Sequence, residues 1–178
     1  EDDPLLEVVI FHEFAHQYWY GMVASNEFEE PWLDEGITSY SEHLGLQDLW
    51  PFKRAAYVAY GGANVIRLPI DNPALAEFTR YAGTRSVVRR GPLINTSWGY
   101  KGDYGYAVNA YPRPAIALQT LQVLLGDEAM GRVMRAYFER WKFGHPTSQD
   151  FFDIASEVYQ VEVRTAVGTK VTPSVAIR

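Results

Sequence analysis

Apolar and polar positions follow several different rhythms along this chain. Residues 4–20, PLLEVVIFHEFAHQYWY, are apolar nearly throughout, and the polar positions do not keep to one side of a 3.6-residue turn. This stretch predicts a central helix buried all round, with Asp3 as N-cap, Pro4 at the first helical position and Gly21 closing it. A second helix is predicted over about Leu33 to Leu46. Residues 49–82 read as helical but broken. Phe52, Ala55, Ala56 and Ala59 form one stripe, Gly61-Gly62 interrupts it, and Asn72-Pro73 opens a short helix to about Tyr81. Residues 91–111, GPLINTSWGYKGDYGYAVNAY, have neither helical nor strand period and read as a long loop, either a wall of a cleft or plain aromatic packing.

Three helical periods follow. The first, after Tyr111-Pro112, presents Ile116, Ala117, Thr120, Leu121 and Leu124 and stops at Gly126. The second, capped by Asp127, presents Met130, Val133, Met134, Tyr137, Phe138 and Trp141. The third has Thr147 as N-cap and Asp150 in a capping-box position, and presents Phe151, Phe152, Ala155, Val158 and Tyr159. Beyond Gln160, VEVRTAVGTKVTPSVAIR alternates weakly and reads as a short strand pair, an ordered arm or a tail, so 161–178 is left open. The whole chain, 1–178, is expected to be one mainly α domain, an irregular bundle of roughly six to eight helices around the first one.

Composition narrows the classes. A chain of 178 residues, 47% hydrophobic and 21% charged, can bury a sizeable core. A net charge of −6 with no dominant basic stripe speaks against a nucleic-acid partner. The local basic patch Arg85, Arg89 and Arg90 reads as solvated or paired with the protein's own acids, with a grip on a substrate carboxylate as the alternative. No apolar run is long enough to predict a membrane span, and the start EDDP is unlike a cationic signal-peptide leader. With no cysteine, disulfides and thiolate metal sites are excluded, and the compartment stays undecided between cytoplasmic and extracytoplasmic.

The chemistry lies in residues 12–42, HEFAHQYWYGMVASNEFEEPWLDEGITSYSE. His12 and His16 are four apart, so on a helix their side chains leave one face about 40° apart and can reach one metal ion. Glu13 lies one step round, where it can aim at a water on that metal. Polar groups in so apolar a helix need a reason, since burying each without partners costs about 2–7 kcal/mol. The bland alternative is a pair of ordinary hydrogen-bonded core histidines. Glu35, separated from His16 by eighteen residues, supplies the oxygen that completes a two-histidine, one-glutamate zinc set. Glu42, seven beyond Glu35, is too far along the axis to share the metal; it either accepts the second ring N–H of a ligand histidine or is a solvated helix acid. Glu27, Glu29 and Glu30 are read as loop acids facing solvent, with a substrate amine as the alternative partner. His43 and His145 are read as structural.

HEFAH, the eighteen-residue interval and PWLDEGITSYSE together resemble the zinc signature of the gluzincin metallopeptidases, in particular the membrane alanine aminopeptidase family. That family commonly has asparagine where this chain has Asp34. The resemblance implies the α lobe of a thermolysin-like catalytic domain, one Zn2+ per chain, a peptide substrate and aminopeptidase action. It also implies a substrate-binding edge strand and a Gly-x-Met-Glu-Asn motif upstream of the HExxH helix. Neither is in this sequence, so the chain is expected to be part of a longer protein, to depend on upstream domains, and to bind zinc with little activity alone.

The expected reaction is peptide hydrolysis by a metal-activated water, with Glu13 as the proton carrier. It also needs a donor to the carbonyl oxygen as that becomes negative, and Tyr111, ending the aromatic loop, is the natural candidate, with Tyr106 as runner-up. In the resembled family a tyrosine opens a Tyr-x-Lys-Gly segment, which here reads Tyr111-Pro112-Arg113-Pro114. Two alternatives stay open: a non-enzymatic zinc-containing lobe that binds a peptide or protein, and an HExxH hydrolase of a non-peptide substrate, since the resembled family includes an epoxide hydrolase.

Overall fold

The computed structural model describes residues 5–49, 54–60, 63–70 and 91–167. Among these, the helices are α1 (Leu5–Trp19), α2 (Ile37–Leu49), α3 (Gly102–Ala110), α4 (Pro112–Leu125), α5 (Asp127–Trp141) and α6 (Ser148–Val167). A π turn, Trp32–Gly36, leads straight into α2, and strands β1 (Arg54–Tyr60) and β2 (Ala63–Ile70) form an antiparallel pair. The domain is therefore mainly α, as the periodicity predicts. The sequence-based elements at Asp3-Pro4, 72–81, Arg85, Arg89, Arg90 and 168–178 lie outside the described residues.

The core sits where α2 and its π turn meet α4, α5 and α6. Trp32, Leu33, Ile37, Tyr40, Ala115, Leu118, Met130, Val133, Tyr137, Phe151 and Ile154 are buried together. Full burial of each of the larger apolar side chains contributes about 1.5–3 kcal/mol. Polar cross-links fix how the helices meet. Trp19 Nε1 donates to Ser41 Oγ at 2.8 Å, joining α1 to α2, and the Tyr40 hydroxyl donates to Gln122 Oε1 at 2.8 Å, joining α2 to α4. The N-terminus of α6 is tied to the segment before the π turn: the Ser148 amide is 3.1 Å from both Glu30 carboxylate oxygens, Ser148 Oγ also donates to Glu30, and Trp32 Nε1 donates to Ser148 Oγ at 2.7 Å. A carboxylate at a helix start satisfies free amides and suits the positive end of the dipole. Asp150 completes the predicted capping arrangement by accepting from the Thr147 amide at 2.8 Å.

Five expectations are corrected. First, α1 is not buried all round: Leu6, Val9, Ile10, Phe14 and Tyr18 are exposed, while Ala15 is buried and Trp19 packs on the core. An all-round apolar helix calls for cover on every side, and the described residues supply it on one side only. Second, 54–60 and 63–70 pair as strands, Arg54 opposite Ile70 and Tyr60 opposite Ala63, with a register shift between Val58 and Ala59. The Ala stripe suggested a helix, but a Gly-Gly pair between runs carrying Tyr57, Val58, Val65 and Ile66 is a hairpin signal, and it prevails. Third, 102–110 is helical although rich in glycine. Val108, Asn109 and Ala110 are buried, so packing rather than propensity holds it. Fourth, α4 turns Ala115 and Leu118 inward, while Thr120 and Leu124 face solvent. Fifth, α6 continues to Val167, because extending an existing helix through β-branched residues costs only tenths of a kcal/mol per residue, up to about 0.7.

Two glycines let helices approach the site closely. A Cβ at Gly45 would fall on the Phe11 ring, and one at Gly36 would stand 2.5 Å from Pro114 Cγ and 3.1 Å from the Ala110 carbonyl. Gly36 thus brings the residue after Glu35 against the start of α4, three residues from Tyr111. Gly36→Ala is expected to cost about 1–3 kcal/mol through overpacking, read as a lowered midpoint in denaturant unfolding. An unchanged midpoint would show that Pro114 can move aside freely.

Candidate metal centre

The i, i+4 spacing on α1 puts the His12 and His16 rings 4.8 Å apart between centroids, one edge-on to the other. Glu35 comes to them from the π turn, whose widened path is marked by the Ile37 amide reaching the Trp32 carbonyl five residues back. Its Oε2 is 3.2 Å from His12 Nε2 and 3.3 Å from His16 Nε2. Donor atoms of the three residues all lie within 4.8 Å of one another, and this is the one such group among the described residues.

The outer ring nitrogens are also engaged. Glu42 Oε2 is 3.2 Å from His12 Nδ1, and Asp34 Oδ1 is 2.6 Å from His16 Nδ1. A proton on each Nδ1 satisfies both outer carboxylates and leaves both Nε2 lone pairs facing Glu35. Glu42 thus lies on the ring nitrogen that points away from Glu35, while His43 is buried with its Nδ1 on the Ser39 carbonyl, 2.9 Å away.

Glu13 is exposed on the same turn of α1, next to His12. The Tyr111 ring stacks on His12 with centroids 5.8 Å apart, and its hydroxyl donates to Glu35 Oε1. Tyr106 stands edge-on to Tyr111, with 6.1 Å between ring centroids. The segment before α3 reaches the loop before the π turn: Ser97 N–H donates to the Phe28 carbonyl at 2.8 Å and Ser97 Oγ to the Glu27 carbonyl at 2.7 Å. Of the loop acids, Glu29 is exposed, whereas Glu30 is half-buried on Ser148 and so is not a free solvent-facing group. His145 accepts its turn role, with Nδ1 on the Ala24 carbonyl at 2.8 Å.

Charge follows from this arrangement. Burial lowers the pKa of His12, but Glu35 and Glu42 reverse this and raise it to about 9. Burial lowers His16 likewise, and Asp34 and Glu35 raise it to about 10. Burial pushes Glu35 up, but hydrogen bonds from His12, His16 and Tyr111 bring it to about 2. Burial pushes Asp34 up, opposed by His16. Tyr111 is raised by burial and by Glu35, so its phenol keeps its proton, and Tyr106 is pushed up to about 12 by burial and by Glu35, Asp34 and Glu27.

These residues fit a divalent metal on two grounds. Tetrahedral bonds of about 2.0–2.1 Å place neighbouring donors about 3.4 Å apart, and the Nε2–Oε2 spacings are 3.2 and 3.3 Å. With both imidazoles raised, each also carries a second ring proton, on Nε2 against Glu35, so a dication that displaces those two protons leaves the net charge unchanged. The sequence does not foresee the Asp34 contact, because it depends on the π turn; a second carboxylate directly after Trp32-Leu33 and before Glu35 is the available signal.

The fold has the form of the α lobe of a gluzincin catalytic domain. Comparison with known families makes this particular: the Peptidase family M1 domain matches residues 1–169, and the chain belongs to that family. It is 26% identical over 165 residues to Aminopeptidase N of Lactobacillus delbrueckii subsp. lactis, covering 92% of this chain and 18% of that protein. It is 25% identical over 155 residues to Aminopeptidase RNPEPL1 of Homo sapiens, covering 86% of this chain and 20% of that protein. The chain therefore spans only 18–20% of the length of these relatives. Among solved structures it is similar to the M1 zinc metallopeptidase from Deinococcus radiodurans, with a TM-score of 0.62 and 21% identity over 94% of this chain and 34% of that one, a likeness of fold.

Proposed function

We propose that this chain is the helical part of a zinc-dependent peptidase active site, and that the protein carrying it is an aminopeptidase of the membrane alanine aminopeptidase type. The observation that carries the reading is the approach of Glu35 Oε2 to His12 Nε2 and His16 Nε2, at 3.2 and 3.3 Å, with a carboxylate behind each imidazole. His12, His16 and Glu35 would hold one zinc ion, and Glu42 would hold His12 in the ligating tautomer. When bound, zinc polarises the scissile carbonyl and lowers the pKa of a coordinated water to about 7.

The chain's own groups do the rest. Glu13, exposed beside His12, takes the proton from the attacking water and delivers it to the leaving amine. Tyr111 keeps its proton and stands against Glu35, so its hydroxyl can donate to the carbonyl oxygen as charge develops there. The peptide is the substrate, and selection of a free N-terminus is assigned to other domains of the same protein, in keeping with the greater length of the relatives. No helix among the described residues is long and apolar enough to cross a membrane.

The test is a zinc titration of the metal-stripped protein, with hydrolysis of amino-acid amides and peptides followed in the full-length polypeptide. One equivalent should bind, and Glu35→Ala should abolish tight binding. At pH 7 each zinc should release about two protons, because it displaces protons held at about 9 and about 10. Affinity should therefore rise from pH 6 to pH 9. The metal-free protein should show the reverse trend in stability. An imidazole raised above its ordinary 6.5 stabilises the fold fully below that pH and ceases to do so as pH rises through 9 and 10, so the unfolding midpoint falls over that range. Glu35, lowered to about 2, stabilises above its ordinary 4.5 and stops doing so as pH falls toward 2. Zinc uptake that survives Glu35→Ala, or no uptake by the wild type, would overturn the assignment.

A further inference from the structure

We infer that Asp34 is a positioning residue for His16, an inference that rests on the metal-centre reading and gives a role to the second of its two outer carboxylates. Asp34 is 2% exposed, in a turn whose other buried residues are Trp32, Leu33 and Gly36. A carboxylate is seldom buried so fully unless it is paired. Its partner is His16, with Oδ1 2.6 Å from Nδ1, the shortest of the four carboxylate–imidazole contacts in the cluster.

Adjacent residues of an α-helix point about 100° apart, yet Asp34 and Glu35 grip opposite edges of one ring, at Nδ1 and Nε2. The π turn makes this possible by widening the backbone at this point. Thr38 Oγ1 is the other neighbour of Nδ1, at 3.3 Å. A hydroxyl both donates and accepts, so Thr38 alone does not determine which nitrogen holds the proton. Asp34 Oδ1, at 2.6 Å, is the closer acceptor for the Nδ1 proton, so it holds the ring with Nε2 turned toward Glu35. His12 receives the same service from Glu42, so each imidazole has a carboxylate of its own and Glu35 stands between them.

The experiment compares zinc affinity by chelator competition in the wild type, Asp34→Asn and Asp34→Ala, using the full chain. It adds far-UV circular dichroism and the ring-nitrogen NMR signature of His16 in the zinc-loaded wild type. Asp34→Ala should weaken zinc binding by about 10- to 100-fold, the usual effect of losing an acceptor behind a ligating imidazole. Asp34→Asn keeps an acceptor oxygen and should recover most of that loss. The wild-type spectrum should show the His16 proton on Nδ1. Unchanged affinity in Asp34→Ala would overturn the inference while leaving the metal centre in place, whereas a proton on Nε2 in the zinc-loaded protein would take that nitrogen out of the ligand set and bring down both. Failure of the wild type itself to bind zinc would bring down both. If Asp34→Ala does not fold, Asp34→Leu, which fills the position without an acceptor, takes its place: zinc affinity lost in Asp34→Leu and recovered in Asp34→Asn supports the inference, and equal affinity in the two overturns it.

Discussion

Glu13→Gln should reduce peptide hydrolysis by about 10²- to 10⁴-fold while zinc content stays at one equivalent. The amide nearly matches the carboxylate in shape but cannot accept a proton, so water activation is lost and metal binding is not. Glu13 touches none of the three proposed ligands through a hydrogen bond or ion pair, and it is exposed, so the substitution should leave stability within about 0.5 kcal/mol. The measurement is kcat with metal analysis, made in the full-length polypeptide. A residual rate of roughly a tenth or more would exceed what loss of a general base permits and would remove Glu13 from the mechanism.

Tyr111→Phe tests the other side of the reacting carbonyl. Loss of one oxyanion donor costs about 10²–10³ in kcat, and the phenyl ring can keep its stacking on His12. The hydroxyl also donates to Glu35, so two outcomes have to be told apart. If Tyr111 serves the transition state, kcat falls and zinc affinity changes little. If it only orients Glu35, zinc affinity falls and kcat at saturating zinc recovers. Tyr106→Phe should have the smaller effect, because Tyr106 meets the site through the Tyr111 ring.

What could be read in the sequence was local. His12, Glu13 and His16 share one helical turn, and Glu42 falls two turns after Glu35, so helix geometry alone brings them near one another. The aromatic face of α5 and the capping of α6 by Asp150 follow from period and residue type in the same way. What could not be read depends on partners or on irregular backbone. The apolar run of α1 shows that its faces are apolar, not which of them the neighbouring residues cover. In α4 the inward face is set by where α2 and α5 lie, and Ala115 and Leu118 take it ahead of a stripe that looked equally good on paper. The contact between Asp34 and His16 needs a π turn, for which propensity scales offer no sign. The pairing of 54–60 with 63–70 is hidden in the sequence because the alanine spacing competes with the Gly-Gly punctuation between the two runs.

The tie between Glu30, Trp32 and Ser148 also bears on when the site can be completed as the protein is made. The segment that delivers Glu35 is anchored to a residue 118 positions later in the chain. At synthesis rates of about 5–20 residues per second, Ser148 leaves the ribosome roughly 6–24 s after Glu30. During that interval both histidines are already outside, while the third ligand lacks its distant anchor. A nascent chain halted before Ser148 should therefore hold zinc weakly, through the imidazoles, and tight uptake should begin only once the start of α6 has emerged.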